Sequence, residues 1–419
     1  MAKTQQSSPF KNFKKKLFEL LKGDKQIWII YISLTIFSFL LIFSSTSMLA
    51  YKFQSGNTFY YLFRHTGFAI VGFALALFIS QMSYKRLFNF SNLLLLISIG
   101  LLFFTFIFGT ETNGAKRWMS IPFTSFTFQP SDIAKCTLVI YVAKIMAIHQ
   151  ADDEDIKKGF QISLFGILPI CFLIFPSNLS TAIMVGLVAT AMLIIAKVKI
   201  KHLLITFAIV AVAGCLVIGF LTLTGRHNRL STWEKRIETY FNSNDTIITQ
   251  SNHQSVQAKI AVGRGGTFGV GIGNSNQKNI LPHPYSDFIY AIIIEEYGLA
   301  VGILVIILYL WLLYRCMIIA KNQTRTFPAY LAIGLSLNII IQAFANMMVS
   351  VNLIPVTGQP LPFVSMGGTS TLITSASLGI IINISRYADS DKNTEKEVVE
   401  EEDKNDNIED IADYPFLVG

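Results

Sequence analysis

Three carboxylates stand in one short, otherwise apolar stretch, Pro284-Tyr-Ser-Asp-Phe-Ile-Tyr-Ala-Ile-Ile-Ile-Glu-Glu-Tyr-Gly298. Asp287 falls at its opening, and Glu295 and Glu296 about two helical turns further on, roughly 12 Å at 1.5 Å per residue. A carboxylate at the mouth of an apolar segment can take a proton from an attacking hydroxyl, which is general-base chemistry. It can equally cap the helix it opens, because Ser286-Asp287 is good cap chemistry. An acid at the centre of a membrane span costs about 3 kcal/mol on insertion scales. Glu295 and Glu296 therefore call for buried pairing with Arg or Lys from another span.

Cations come from a second region. Gly114-Ala-Lys-Arg-Trp118 is followed by Phe128-Gln-Pro-Ser-Asp-Ile-Ala-Lys135, which supplies Lys116, Arg117 and Lys135. Their partners are protein carboxylates or a ligand phosphate, which Arg binds bidentately. Trp118 suits stacking on a sugar or a place in the interfacial aromatic belt. Arg226, Arg229, Lys235 and Arg236 add charge further along. The run Gly263-Arg-Gly-Gly-Thr-Phe-Gly-Val-Gly-Ile-Gly273 lacks a Gly-Lys-Ser/Thr end and a Gly-x-Gly-x-x-Gly register, so it reads as a flexible re-entrant turn and not a nucleotide loop. Leu353–Gly368 packs prolines and glycines, among them Pro355, Gly358, Pro362, Gly367 and Gly368, between apolar runs. Such backbone survives at membrane depth only beside a cavity or buried in protein. The scattered histidines make no metal-ligand pattern.

The elements that must position these residues follow from composition. Of 419 residues, 52% are hydrophobic and 14% charged, against about 25% charged in a soluble domain. A span needs about 20 apolar residues, and ten long apolar runs qualify: 27–45, 60–80, 91–109, 132–149, 160–176, 179–196, 203–224, 286–314, 327–349 and 366–385. The expected fold is an all-α polytopic membrane protein of about ten helices. A cytosolic enzyme, a nucleic-acid-binding domain and a disulfide scaffold are excluded. Short connections carrying Lys85/Arg86, Lys157/Lys158, Lys197/Lys199/Lys201 and Arg315/Lys321/Arg325 alternate with others that carry no base. The positive-inside rule then makes both termini cytoplasmic and puts 110–131, 225–285 and 350–365 outside. Residues 1–26 interleave lysines with Phe and Leu, as a basic amphipathic helix on the inner surface would. Residues 27–387 form the membrane domain, with 225–285 its one large external loop. The tail 388–419 is acidic and expected to be disordered; 389–419 holds 12 acids and 3 lysines, leaving +17 on the rest. Cys136, Cys171, Cys215 and Cys316 read as small apolar side chains.

Taken together, Gly114–Trp118, Gln129-Pro-Ser-Asp-Ile-Ala-Lys135, Gly265-Gly-Thr-Phe-Gly269, Ser286-Asp-Phe-Ile-Tyr-Ala291, Glu295-Glu-Tyr-Gly298 and Leu353–Ser370 resemble, in order, the signature blocks of the SEDS family (shape, elongation, division and sporulation). The resemblance spans about residues 27–387. It implies a ten-span bacterial peptidoglycan glycosyltransferase that polymerises lipid II at the outer face of the cytoplasmic membrane, beside a class B penicillin-binding protein. It places the motif carboxylate on Asp287 and the motif bases on Arg117 and Lys135. Lys116, Trp118, Gln129, Ser286 and Ser365 are expected to bind substrate, with Glu295 and Glu296 in support. A divalent cation, magnesium or manganese, is implied only by the family.

The sequence departs from the family in three places. Pro282-His-Pro-Tyr-Ser286 replaces Pro-Glu-Ala-His-Thr. Asn178 stands where an acid is usual, and Met366 replaces a tyrosine. Ser365-Met-Gly-Gly-Thr-Ser370 and the polar extensions favour a division role, with other divisome proteins as partners, over elongation. The competing class is a lipid-precursor flippase using buried Glu295 and Glu296, which would tolerate Asp287→Asn better than Glu295→Gln.

Overall fold

The computed structural model describes residues 21–112, 115–120, 127–223 and 253–388. The expected amphipathic helix of 1–26 lies almost entirely outside these residues, as do the bases at 226–236 and the acidic tail from 389. The chain runs through α1 (Lys25–Ser45), α2 (Ser47–Phe53), α3 (Thr58–Ser80) and α4 (Tyr84–Phe108) into strands β1 (Thr110–Thr112), β2 (Ala115–Ser120) and β3 (Thr127–Phe128). Helices α5 (Pro130–Ile148), α6 (Asp153–Ile174), α7 (Leu179–Ile195), α8 (Ile200–Leu223), α9 (His253–Gly265), α10 (Ile289–Lys321) and α11 (Thr326–Ser350) follow, and α12 (Gly368–Ala388) completes the bundle.

All ten apolar runs are helical, and seven helices among the described residues are long and apolar enough to cross a membrane. Of the other three, α5 carries Asp132, Lys135 and Lys144, α7 has 17 residues, and α8 is apolar over Ile200–Val212. Helices α11 and α12 are buried over most of their length, whereas α3 and α4 turn Phe63, Phe78, Phe104 and Phe108 outward. An apolar exterior on a bundle this long is what a lipid environment selects.

Polar side chains fix the helix ends. Asp24 caps α1 by accepting from the Gln26 and Ile27 amides (2.9 and 3.2 Å), Asp152 caps α6, and Asn178 caps α7 through the Thr181 amide (3.2 Å). Asp24 also pairs with Arg315 near the end of α10, and its amide donates to Ser385 Oγ of α12 at 2.9 Å. The start of α1 and the end of α12 therefore meet at one end of the bundle. Lys199 pairs there with Asp153 (2.9 Å) and His149 with Asp155 (2.7 Å). The β-strands, α9 and Asp287 gather at the opposite end. Cys136, Cys171 and Cys316 are free thiols.

The expected span 286–314 needs correction. Gly298 sits at φ 85°, ψ 170°, outside helical space, and divides α10 in two. In an unbroken helix residues 290 and 302 would stand about 18 Å apart, beyond the reach of a tyrosine. Yet Tyr290 Oη donates to the Gly302 carbonyl at 3.2 Å, so the axis turns sharply. Leu299–Lys321 alone is about 34 Å long, enough for the roughly 30 Å hydrocarbon core. The half-helix 289–297 is thus an additional element at the site end, and Glu295 and Glu296 lie at the bend and not deep in a span.

Candidate functional site

The backbone around Asp287 is held from outside its own loop. The Tyr285 carbonyl accepts from the Met366 amide at 2.9 Å. The Ser286 carbonyl accepts from Ser365 Oγ at 2.8 Å and from Asn346 Nδ2 at 3.4 Å. The Asp287 carbonyl accepts from the same Asn346 amide at 3.0 Å, which also donates to the Gln359 carbonyl at 2.8 Å. Every carbonyl from 285 to 287 is engaged. The Asp287 side chain is half-buried and takes the Ser286 hydroxyl at 2.9 Å. Phe288, not Asp287, occupies the cap position of α10, so the simple capping role is not observed. A Cβ on Gly358, which has φ 67°, would come within 3.7 Å of Asp287 Oδ2. The 353–368 segment thus wraps the carboxylate, and its stretch 359–365 is almost wholly buried, as proline- and glycine-rich backbone at this depth requires.

Two expected ligands are engaged internally. Ser365 is 2% exposed, accepts from the Leu361 amide (2.7 Å) and donates to Ser286, so it staples the Asp287 loop and does not face substrate. Lys135 does not lie on the outer face. It is 4% exposed in the second turn of α5, pairs with Asp132 at 2.8 Å and donates to Gln342 Oε1 at 2.9 Å. A buried ammonium needs a carboxylate and hydrogen bonds in place of water, and both are supplied. Gln342 Nε2 then donates to the Pro360 carbonyl at 3.0 Å, joining Lys135 to the wrapping segment. Pro362 offers its carbonyl to Tyr309, Gly367 to Thr371, and Gly368 packs against the Phe68 ring.

The strand residues form a neighbouring group. The sheet is antiparallel in the order β1-β2-β3, with Lys116 opposite Glu111 and Trp118 opposite Thr110. Lys116 Nζ donates to the Ile107 carbonyl (2.8 Å) and Arg117 Nε to the Ser177 carbonyl (2.6 Å). Both side chains reach backbone oxygens. Lys116, Arg117 and Gln129 line one small cavity with Ser131, Ser177 and Asn178, and Trp118 is half-buried beside them. The N-terminus of α7 links this group to Asp287, because Thr181 Oγ1 accepts from Gln359 Nε2 at 2.8 Å. Pro355 is half-buried in the wrapping segment.

Gln342, Asn346 and Gln359 do much of this positioning and were not singled out from sequence. Their signal is present in part: Asn338, Gln342 and Asn346 are three amides spaced four apart on one face of a largely apolar helix, and such a face must meet polar partners. Tyr285, at the altered Pro282–Ser286 stretch, is another. Burial raises its phenol above the ordinary 10.0, and the Asp287 carboxylate and Tyr61 add to the shift. His283 Nδ1 shares a 3.2 Å hydrogen bond with its hydroxyl.

Glu295 and Glu296 face Arg264 and Lys278, the cationic partners that buried acids call for, but these come from the stretch 264–278 and not from another span. Glu295 accepts from Ser275 Oγ and from the Asn276 amide (3.1 Å), with Arg264 at 3.8 Å. Glu296 accepts from Ser44 Oγ of α1, with Lys278 at 3.9 Å. No group of three or more His, Cys, Asp or Glu side chains among the described residues could hold a metal ion. With Glu295 and Glu296 engaged by protein donors, the described residues offer no carboxylate-rich cage for a resident divalent cation.

An all-α bundle with a broken helix, a clamped carboxylate and flanking cations defines a polytopic membrane protein with a polar site at one end. Residues 24–390 match the family model described as "Cell cycle protein", built on FtsW, RodA and SpoVE, and the chain belongs to that family. It is 32% identical over 366 residues to a probable peptidoglycan glycosyltransferase FtsW of Coxiella burnetii, covering 85% of this chain and 95% of that one. It is likewise 32% identical over 372 residues to stage V sporulation protein E of Bacillus subtilis, covering 87% and 97%. Two solved structures share the fold. One, described as a peptidoglycan synthase complex that coordinates polymerization and crosslinking, has TM-score 0.68 at 21% identity, covering 87% of this chain and 98% of the other. The Thermus thermophilus rod shape determining protein RodA gives 0.60 at 22% identity, covering 87% and 97%.

Proposed function

We propose that this protein is a peptidoglycan glycosyltransferase that polymerises lipid II, with Asp287 as general base. The observation that carries this reading is the clamp on residues 285–287, which fixes the backbone and presents a half-buried carboxylate. Asp287 accepts the proton of the acceptor sugar's 4-hydroxyl as that oxygen attacks the donor's anomeric carbon. Help of this kind supplies about 10²–10⁴-fold. Attack from the face opposite the leaving diphosphate inverts the anomeric centre, as in inverting glycosidases. Lys116 and Arg117 neutralise the diphosphate and Trp118 stacks on a sugar. Lys135, already neutralised by Asp132, acts through Gln342 on the wrapping segment.

The orientation follows from charge. The bundle end where Asp24 meets Ser385 also carries the lysine-rich turns, which supports cytoplasmic termini and a site facing outward from the bacterial cytoplasmic membrane. A class B penicillin-binding protein and the nascent glycan strand are the proposed partners. Similarity to FtsW proteins and the Ser365–Ser370 block support a septal role with other division proteins. Polymerisation of labelled lipid II by wild type and Asp287→Asn, with and without the cognate synthase, tests the reading. Glycan strands from wild type and at least a 100-fold loss in the variant are expected; equal rates would remove Asp287 from the chemistry.

A further inference from the structure

The glycine-rich segment 263–273 does a specific structural task at the bend of α10. A helix broken at one residue leaves carbonyls without partners on one side and amides on the other. Here a second piece of chain supplies both sets. The Val270 and Gly271 amides donate to the Glu295 and Glu296 carbonyls at 2.9 and 3.1 Å. The Leu299 and Ala300 amides donate to the Gly266 and Thr267 carbonyls at 3.0 and 3.3 Å. The backbones touch: a Cβ on Gly269 would stand 2.3 Å from the Glu296 carbonyl oxygen, and one on Gly298 2.3 Å from that of Thr267. Segment 264–278 is therefore a strap laid across the break.

The side chains of the half-helix tie it to the same strap. Glu295 is 0% exposed, and its carboxylate collects Ser275 Oγ, the Asn276 amide and Arg264, all from the strap. The other end of the half-helix is the Asp287 loop, gripped by Asn346 and Ser365. The half-helix between these grips is packed along its length, with Ile289–Ile294 at most 3% exposed, and shifts as one piece, so a displacement at Glu295 is transmitted to Asp287 about 12 Å away.

We propose that Glu295 is a positioning residue: through it the strap 264–278 sets the axis of half-helix 289–297 and hence the placement of the Asp287 carboxylate. This rests on Asp287 being the base, but its physical content is separable from that reading. Glu295 touches no substrate in this account.

The test pairs amide hydrogen exchange of the full-length protein in detergent with lipid II polymerisation, comparing wild type, Glu295→Gln and Glu295→Ala. Gln keeps an acceptor for the Asn276 amide and loses the charge facing Arg264; Ala loses both. Expected for Ala is at least 10-fold faster exchange confined to 270–271 and 285–300, with kcat falling at least 10-fold at little change in KM. Gln should restore most of the protection and most of kcat. Faster exchange throughout the bundle would reduce Glu295 to a general stabiliser and overturn the proposal. So would lost activity with unchanged exchange at 285–300, which would make Glu295 a chemical participant, or faster exchange there with wild-type kcat. If wild type forms no glycan strands, the function reading fails, while exchange at 285–287 still decides whether Glu295 holds the Asp287 loop.

Discussion

Asp287 and the Glu295–Glu296 pair stand at opposite ends of one short half-helix, and the protein treats them in opposite ways. At Asp287 the surrounding groups grip the main chain and leave the side chain half-buried. At Glu295 they gather on the carboxylate, and at Glu296 Ser44 and Lys278 hold one carboxylate oxygen; the two residues are 0% and 1% exposed. Residue type does not separate these cases. What separates them is how far the structure covers the side chain: both backbones are held, but Asp287 stays half-buried whereas the two glutamates are taken out of solvent.

The contrast can be broken most severely at Glu296. Removing one partner of a buried charged pair costs about 3–5 kcal/mol. Glu296→Ala should fall near the lower figure, because Lys278 keeps the Gly273 carbonyl at 2.6 Å. Denaturant unfolding in detergent should show that loss, whereas Asp287→Asn should unfold as wild type does. Equal destabilisation by both would erase the distinction.

A smaller effect is expected at Asn346. Asn346→Ala strips one donor from three carbonyls, those of Ser286, Asp287 and Gln359, and each buried acceptor left unsatisfied costs about 1 kcal/mol. Unfolding free energy should drop by about 2 kcal/mol, and polymerisation about 10-fold or more through misplacement of the base. A destabilised variant that still polymerises at the wild-type rate would show that the clamp is not what presents Asp287.

The smallest effect concerns Tyr285. Its folded-state pKa lies above 10.0, with burial the main cause and Asp287 second. The folded protein therefore holds this proton more tightly than the unfolded chain does. The resulting stability is complete below pH 10 and is lost as pH rises through the folded value. Tyr285→Phe should flatten the alkaline end of the stability profile. An unaltered alkaline limb would mean that the phenol is not buried beside Asp287 in the folded protein.

The helices were legible in sequence because an apolar run of bilayer length has few alternatives. The bend was not. Glu296-Tyr-Gly-Leu-Ala300 reads as continuous helix, since an isolated glycine is tolerated in one, and the strap that makes the break stable arrives from a distant part of the chain. The same holds at the site. Asp287 and Arg117 could be picked out by their unusual surroundings, and the inward turn of Lys135 could not, because its partner Gln342 comes from another helix. Ser365 misled for a related reason: a hydroxyl looks the same in sequence whether it meets a ligand or a carbonyl.

Asp24 carries a consequence for biosynthesis. Its contacts with Arg315 and Ser385 join residues 291 and 361 positions apart. At about 5–20 residues per second, the ribosome needs on the order of 20–70 s after making Asp24 before Ser385 exists. The first helix is inserted before either partner exists; Arg315 follows after 291 residues and Ser385 only after 361, so the contact between the first and last helices forms last. That contact is thus a late event that registers whether the last membrane helix has been made. A product stopped before residue 385 would leave that seam open to lipid.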